Sequence, residues 1–306
     1  MARRGNGGIV GKLNISGNNV ATGVWNRIEQ FNIIGNANTS SIGWPRVPYT
    51  VEYLVVAGGG SGGGGYQSGG GGGGGVLANT ATVNAFASYS ITVGLGGAAV
   101  LNTTGNQGGN SVFGSIATAI GGGYGGSYHA TATGGNGGSG GGAGNYNGAQ
   151  IGGSGTAGPP RQGYDGGSIT SYTSPYAGGG GGGAGAVGSV GPSPSTGGNG
   201  VASSISGASV TYGGGGGGGG QGGAGNGGTG GGGAGASTQA NATAGTDGLG
   251  GGGGGAGYTG YSSGKGGTGV VIIRYLSGSQ LATGGTVTTS GGYYIHTFTS
   301  NGTFTA

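Results

Sequence analysis

The sequence predicts a mostly β and irregular fold: extended glycine helices stacked side by side, flanked by short β-strands, behind a small N-terminal head. Three observations carry this. Of 306 residues 101 are glycine, many in unbroken runs such as Gly213–Gly220. Two apolar segments, VEYLVVA at 51–57 and VVIIRY at 270–275, are strands by β-branched content and length, and both border glycine tracts. Charge is scarce, with eight basic and four acidic side chains, so Asn, Ser, Thr, Gln and Tyr supply the polar surface. That composition is unlike an ordinary enzyme, and unlike the highly charged chains that usually stay disordered.

The chain divides into residues 1–50, 51–276 and 277–306. The first part holds both tryptophans and few glycines, with five of the basic residues in its first 46 positions. Within VWNRIEQFNII, Val24, Ile28 and Phe31 fall at i, i+4 and i+7, which predicts one short amphipathic helix between Gly23 and Gly35. Two prolines in IGWPRVPYT then block helix and lead into the strand at 51. Weaker strands are expected in YSITVG from Tyr89, SVFGSIATAI from Ser111, VASSISGASVTY from Val201 and YYIHTFT from Tyr293.

Glycine costs roughly 0.5–1 kcal/mol against alanine wherever the chain is ordered, so the runs need a structure that only glycine can form. Collagen is excluded, because glycine is not held to every third position and only seven prolines occur. A flexible Gly/Ser linker would not be interleaved with strands. The remaining solution is the polyglycine counterpart of polyproline II, which has three residues per turn and no internal hydrogen bonds. Its N–H and C=O groups must then pair sideways with neighbouring helices, and the missing Cβ lets backbones approach on every side.

Several chemistries are poorly supplied. Cysteine is absent, which removes disulfides and thiolate metal sites, and two histidines with four acids offer little else to a metal. No cofactor is implied. Gly-x-Gly-x-x-Gly matches are unavoidable here and none sits in a βαβ unit, while Lys265 is followed by Gly266 and Gly267, not by a phosphate-loop Ser or Thr. Four acids in dissimilar contexts do not suggest a glycosidase pair. Arg3 and Arg4 are not followed by the apolar core of a signal peptide, and no apolar stretch reaches membrane-spanning length. The basic head is not a nucleic-acid groove.

Tyrosine is the notable side chain, with 16 copies, many in polar inserts beside Ser, Gly and Asn. Such a mixture gives rigid, amphipathic contact area at low entropy cost. Candidate binding residues are Tyr128, His129, Tyr146, Arg161, Tyr164, Asp165, Tyr172, Tyr176, Tyr258 and Tyr261. The longest insert, 159–176, is the strongest loop among them. The competing reading is that the tyrosines cap the edges of the glycine array. Glu52 and Arg274 are lone charges in apolar strands: a cross-strand ion pair if those strands adjoin, otherwise two solvated charges. His296 alternates with Tyr294 and Phe298 and reads as a packed histidine, whereas His129 is freer to meet a ligand.

VEYLVVAGGGSGGGG, YSITVGLGG, GGNSVFGSIATAIGGGYGG and GGTGVVIIRY resemble the glycine-rich domain of bacteriophage tail-fibre and receptor-binding adhesin proteins, over residues 51 to 275. The head, ATGVWNRIEQF with IGWP, is similar to amino-terminal segments of structural proteins in marine and cyanobacterial phages. The resemblance implies a polyglycine II sandwich whose loops at one end touch the host surface, with a saccharide or an outer-membrane protein as partner. It implies a non-enzymatic virion protein, on the tail or the capsid exterior, anchored to other virion proteins through residues 1–50. Arg3, Arg4, Trp25, Phe31 and Trp44 are the anchoring candidates, and a homo-oligomer, for example a trimer, is expected. A capsid decoration, a subunit of an extracellular filament and, least of all, a depolymerase are the rival readings. One departure stands out. HTFTSNGTFT precedes the VEYLVVAGGG strand in many relatives and here closes the chain, to pair either beside Val51–Val56 or with a neighbouring subunit.

Overall fold

The computed structural model describes residues 47–191, 195–237 and 239–306, and a short antiparallel ladder of β1 (Ser16–Gly17) and β2 (Val20–Ala21). The expected helix at 24–34 and the anchoring candidates Arg3, Arg4, Trp25, Phe31 and Trp44 lie outside the described residues. No helix occurs among those described, and the chain is mostly β and irregular, with three antiparallel sheets beyond the first ladder.

β3 (Tyr49–Val56) and β10 (Val270–Leu276), the two strands clearest in the sequence, lie side by side at the centre of a five-stranded sheet. β4 (Val76–Val83) flanks β3, and β12 (Tyr293–Phe298) flanks β10 with β11 (Thr286–Ser290) outside it. The second sheet has the order β13 (Gly302–Thr305), β5 (Ser88–Thr92), β6 (Ser111–Phe113) and β7 (Ala117–Ala119). β8 (Val201–Ser203) and β9 (Val210–Tyr212) form a separate hairpin.

Apolar residues fill both faces of the central strands. Val51, Tyr53, Val55, Val271, Ile273 and Phe298 pack on Ile91, Phe113 and Phe304 of the second sheet. Leu54, Val56, Ile272 and Ile295 pack on Ile205 and Tyr212 of the β8–β9 hairpin. A strand covered on both faces reads as an unbroken apolar run, which is why LVVA and VVII carry no polar alternation.

The closing segment takes neither expected place. β12 pairs with β10, so β10 separates it from β3, with Ile295 opposite Arg274. β13 then crosses to the second sheet and pairs with β5, Phe304 opposite Tyr89. The cause is side-chain burial. Phe298 and Phe304 enter the same apolar interior from the two sheets, and Phe304 is fully enclosed against Phe113 and His296, so the tail completes its own subunit's core.

The glycine segments run away from these sheets and back again. Along Gly69–Gly75, consecutive N–H groups bond in rotation to three neighbours: Gly126, Gly123 and Ile120 of one; Gly179 and Gly182 of the next; Gly253 and Gly250 of the third. The same segment accepts bonds from 57–63, 139–142 and 216, so six segments surround it. Gly213–Gly220 repeats the pattern: Gly214, Gly217 and Gly220 donate to Gly230, Gly233 and Ala236, and Gly216 to Gly71. Each third residue therefore faces one neighbour, and every amide of these two runs finds a lateral carbonyl. A side chain has nowhere to go: a Cβ on Gly216 would lie under 3.0 Å from Gly253 O, and one on Gly71 equally close to Gly60 O.

Candidate functional site

Successive segments reverse direction, so their turns collect at two ends. One end abuts the sheets. There Ala57 N donates to Gly75 O, Gly74 N to Gly250 O and Gly213 N to Leu249 O. The opposite end gathers the turns at 64–68, 101–104, 127–131, 145–149, 169–176, 220–224, 239–241 and 257–261. Main-chain bonds join them: Gly64 N to Thr103 O, Asn145 N to Gln67 O, Ser68 N to Ala256 O, and Gln221 N to Tyr176 O. Ser127 Oγ adds a bond to Gly64 O at 2.8 Å.

Most of the tyrosines expected in binding loops meet at this distal end. Tyr128 packs edge-on against Tyr146 at 4.8 Å between centroids and against Tyr66 at 5.4 Å, and Tyr66 meets Tyr258 at 5.6 Å. Tyr172 and Tyr176 form a second pair, 5.0 Å apart. Burial, followed by the nearby Tyr128, Tyr66 and Tyr176 phenols, raises the Tyr172 hydroxyl pKa above the ordinary tyrosine value, against a hydrogen bond with Gln67 that acts the other way. His129 stacks edge-on with Tyr128, its Nε2 3.0 Å from Thr259 Oγ1. Tyr261 contributes its carbonyl to Gly65 N. Tyr146, Tyr172 and Tyr258 remain about two-fifths exposed, at 44%, 40% and 38%.

The 159–176 insert is not one loop. Pro159–Gln162 turn at the sheet end, where Gln162 O accepts from Val76 N and Gln162 Oε1 from Ile120 N. Residues 163–169 then traverse the array as a further segment, Gly166 N bonding to Gly153 O and Gly167 N to Gly180 O. Only 169–176 belongs to the distal end. Arg161 therefore sits over Tyr164, 4.4 Å from its ring centroid, and Asp165 accepts from Gly155 N, all away from the distal tyrosines. The insert escaped this division because Tyr164, Asp165 and Ser168 interrupt its glycines. Those side chains are half-buried or exposed on an outer segment, where a Cβ is tolerated.

Four distal residues were not among the candidates. Tyr66, inside the GYQSG insert, joins Tyr128 to Tyr258. Gln221, Ser237 and Gln239 line a depression with Tyr258. The signal for Tyr66 was present in the insert, whereas the other three are ordinary polar residues between glycine runs. Gln67 and Asn145, next in the chain to Tyr66 and Tyr146, are buried. Gln67 Oε1 and both polar atoms of the Asn145 amide have no hydrogen-bond partner. The described charged residues, Glu52, Arg161, Asp165, Asp247, Lys265 and Arg274, all lie outside the distal turns.

Fold and site together define a class: a side-chain-poor array that presents uncharged, aromatic turns at the end remote from its β-sheets. Residues 35–276 match the family described as a glycine-rich domain, and the chain belongs to that family. Comparison with curated proteins finds no match.

Proposed function

We propose that this protein is a structural adhesin of a bacteriophage virion, a tail fibre or tail-tip component whose distal turns attach to the host surface. The observation that carries the reading is the convergence of Tyr66, Tyr128, Tyr146, Tyr172, Tyr176 and Tyr258 on one end of the array. Tyrosines held by a rigid main chain give contact area with little ordering cost on binding. In this reading the glycine segments are polyglycine II helices forming a sandwich. The bonding repeat of three residues, and the absence of bonds within the runs Gly69–Gly75 and Gly213–Gly220, support it.

The protein works without catalysis, on the particle's exterior, held to other virion proteins through residues 1–50. Several copies in a homo-oligomer raise weak single contacts by avidity. The test is competition. Purified full-length chain, added to the cells on which the particle grows, is expected to block particle adsorption. Tyr128→Ala combined with Tyr146→Ala is expected to abolish blocking at an unchanged melting temperature. A well-folded wild-type chain that leaves adsorption untouched overturns the reading.

A further inference from the structure

Gln221, Ser237, Gln239 and Tyr258 line a depression at the distal end. Four other glutamines use their side-chain amides inside the chain. Gln107 Nε2 donates to Asn136 O, Gln150 Nε2 to Tyr146 O and Gln280 Nε2 to Ala282 O, while Gln162 Oε1 accepts from Ile120 N. Among the described residues, the exposed amides of Gln221 and Gln239 have no such partner. Each offers two donors and an acceptor to whatever enters. Tyr258 adds an exposed ring and a hydroxyl, Ser237 another hydroxyl, and the walls are fixed by Gln221 N on Tyr176 O and Gly220 N on Ala236 O.

We propose that this depression binds a neutral saccharide, an inference that rests on the attachment reading above. A sugar ring presents an apolar C–H face and a rim of hydroxyls that both donate and accept. A tyrosine ring suits the face, and paired amides and a hydroxyl suit the rim. Acidic glycans and phosphorylated headgroups are poorly matched, because they call for arginine or lysine. The described cations all lie outside the distal turns. A protein partner would cover a far broader area than two amides, a hydroxyl and one ring.

The test uses the intact chain on an array of neutral and acidic polysaccharides, with mannan, dextran and galactan among the neutral probes and heparin and polysialic acid among the acidic ones. Retention by one or more neutral glycans is expected. Tyr258→Ala should weaken it tenfold or more, Gln221→Ala combined with Gln239→Ala comparably, and both variants should melt as wild type does. Exclusive retention by acidic glycans, no retention, or retention unchanged in both variants overturns the proposal. A parallel assay on host cells separates this inference from the one beneath it. Attachment abolished by periodate oxidation of surface sugars supports the saccharide. Attachment that survives periodate and is lost on protease shaving overturns the saccharide and leaves the adhesin standing. No attachment to untreated cells overturns both.

Discussion

Arg274 and Glu52 sit opposite each other in the β10–β3 register, with Nη2 2.6 Å and Nε 3.0 Å from the same carboxylate oxygen, Oε2. The guanidinium does more than fix that register. Its Nη1 donates to Ser204 O at 3.0 Å, in the turn between β8 and β9, and its Cζ lies over the Tyr293 ring on β12, 4.4 Å from the centroid. One side chain thus joins two strands of the central sheet and the hairpin that covers it.

Both partners are partly exposed, so solvent screens the pair and its worth is set by geometry and not by charge alone. Glu52→Gln is expected to cost about 1 kcal/mol, and Arg274→Ala about 2 kcal/mol because it also strands the Ser204 carbonyl and bares Tyr293. Urea unfolding of both single variants and the double variant checks this. A coupling energy indistinguishable from zero would mean that the two charges are independently solvated.

Gly216→Ala places a Cβ against Gly253 O within an array closed on every side. A loss of about 1–3 kcal/mol, or failure to fold, is expected. Gly158→Ala is the control, since nothing lies within 4 Å of its Cβ position and its φ is not positive. That change should be neutral, or stabilising by about 0.4–1 kcal/mol through the unfolded chain. Equal melting temperatures for the two variants would contradict the close packing described here.

His296 is fully buried between the sheets, with Nδ1 2.8 Å from Gly284 O and Nε2 3.2 Å from Tyr275 Oη. The Tyr275 oxygen already accepts from Leu281 N and Ala282 N, so its proton goes to the imidazole, which must be neutral to receive it. Burial lowers the His296 pKa from its ordinary 6.5, outweighing the bond to Gly284, which acts the other way. The unfolded chain therefore takes up the proton first. Stability is intact above about pH 6.5 and declines as pH falls below it toward the lowered native value. Melting curves between pH 5 and 8 should show this slope in the wild type and a flatter profile in His296→Gln. Parallel profiles would assign the acid sensitivity to another group.

Removing residues 302–306 takes away β13 and the enclosed Phe304 ring, and leaves β5 with an open edge. The truncated chain is expected to melt lower and to associate, because an unpaired strand edge recruits another chain. Phe304→Ala keeps the edge paired, and should lose about 3–5 kcal/mol while remaining at the wild-type oligomeric state. Sedimentation of both variants beside the wild type separates the two effects.

The sequence by itself determined the chemistry of the array. Glycine runs such as Gly213–Gly220 leave lateral backbone pairing as the way to satisfy their amides, and LVVA and VVII could only be buried strands. It also raised the Glu52–Arg274 pairing and the packing of His296, since both follow from side chains in a strand. Which segment lies beside which was decided by the tertiary structure alone, because identical side-chain-free residues carry no pattern that sets neighbour or direction. The two ends of the array, and hence the separation of Arg161 and Tyr164 from Tyr172 and Tyr176, follow from how many times the chain reverses between them. The gathering of Tyr66, Gln221, Ser237, Gln239 and Tyr258 is likewise a product of those reversals, from residues far apart along the chain.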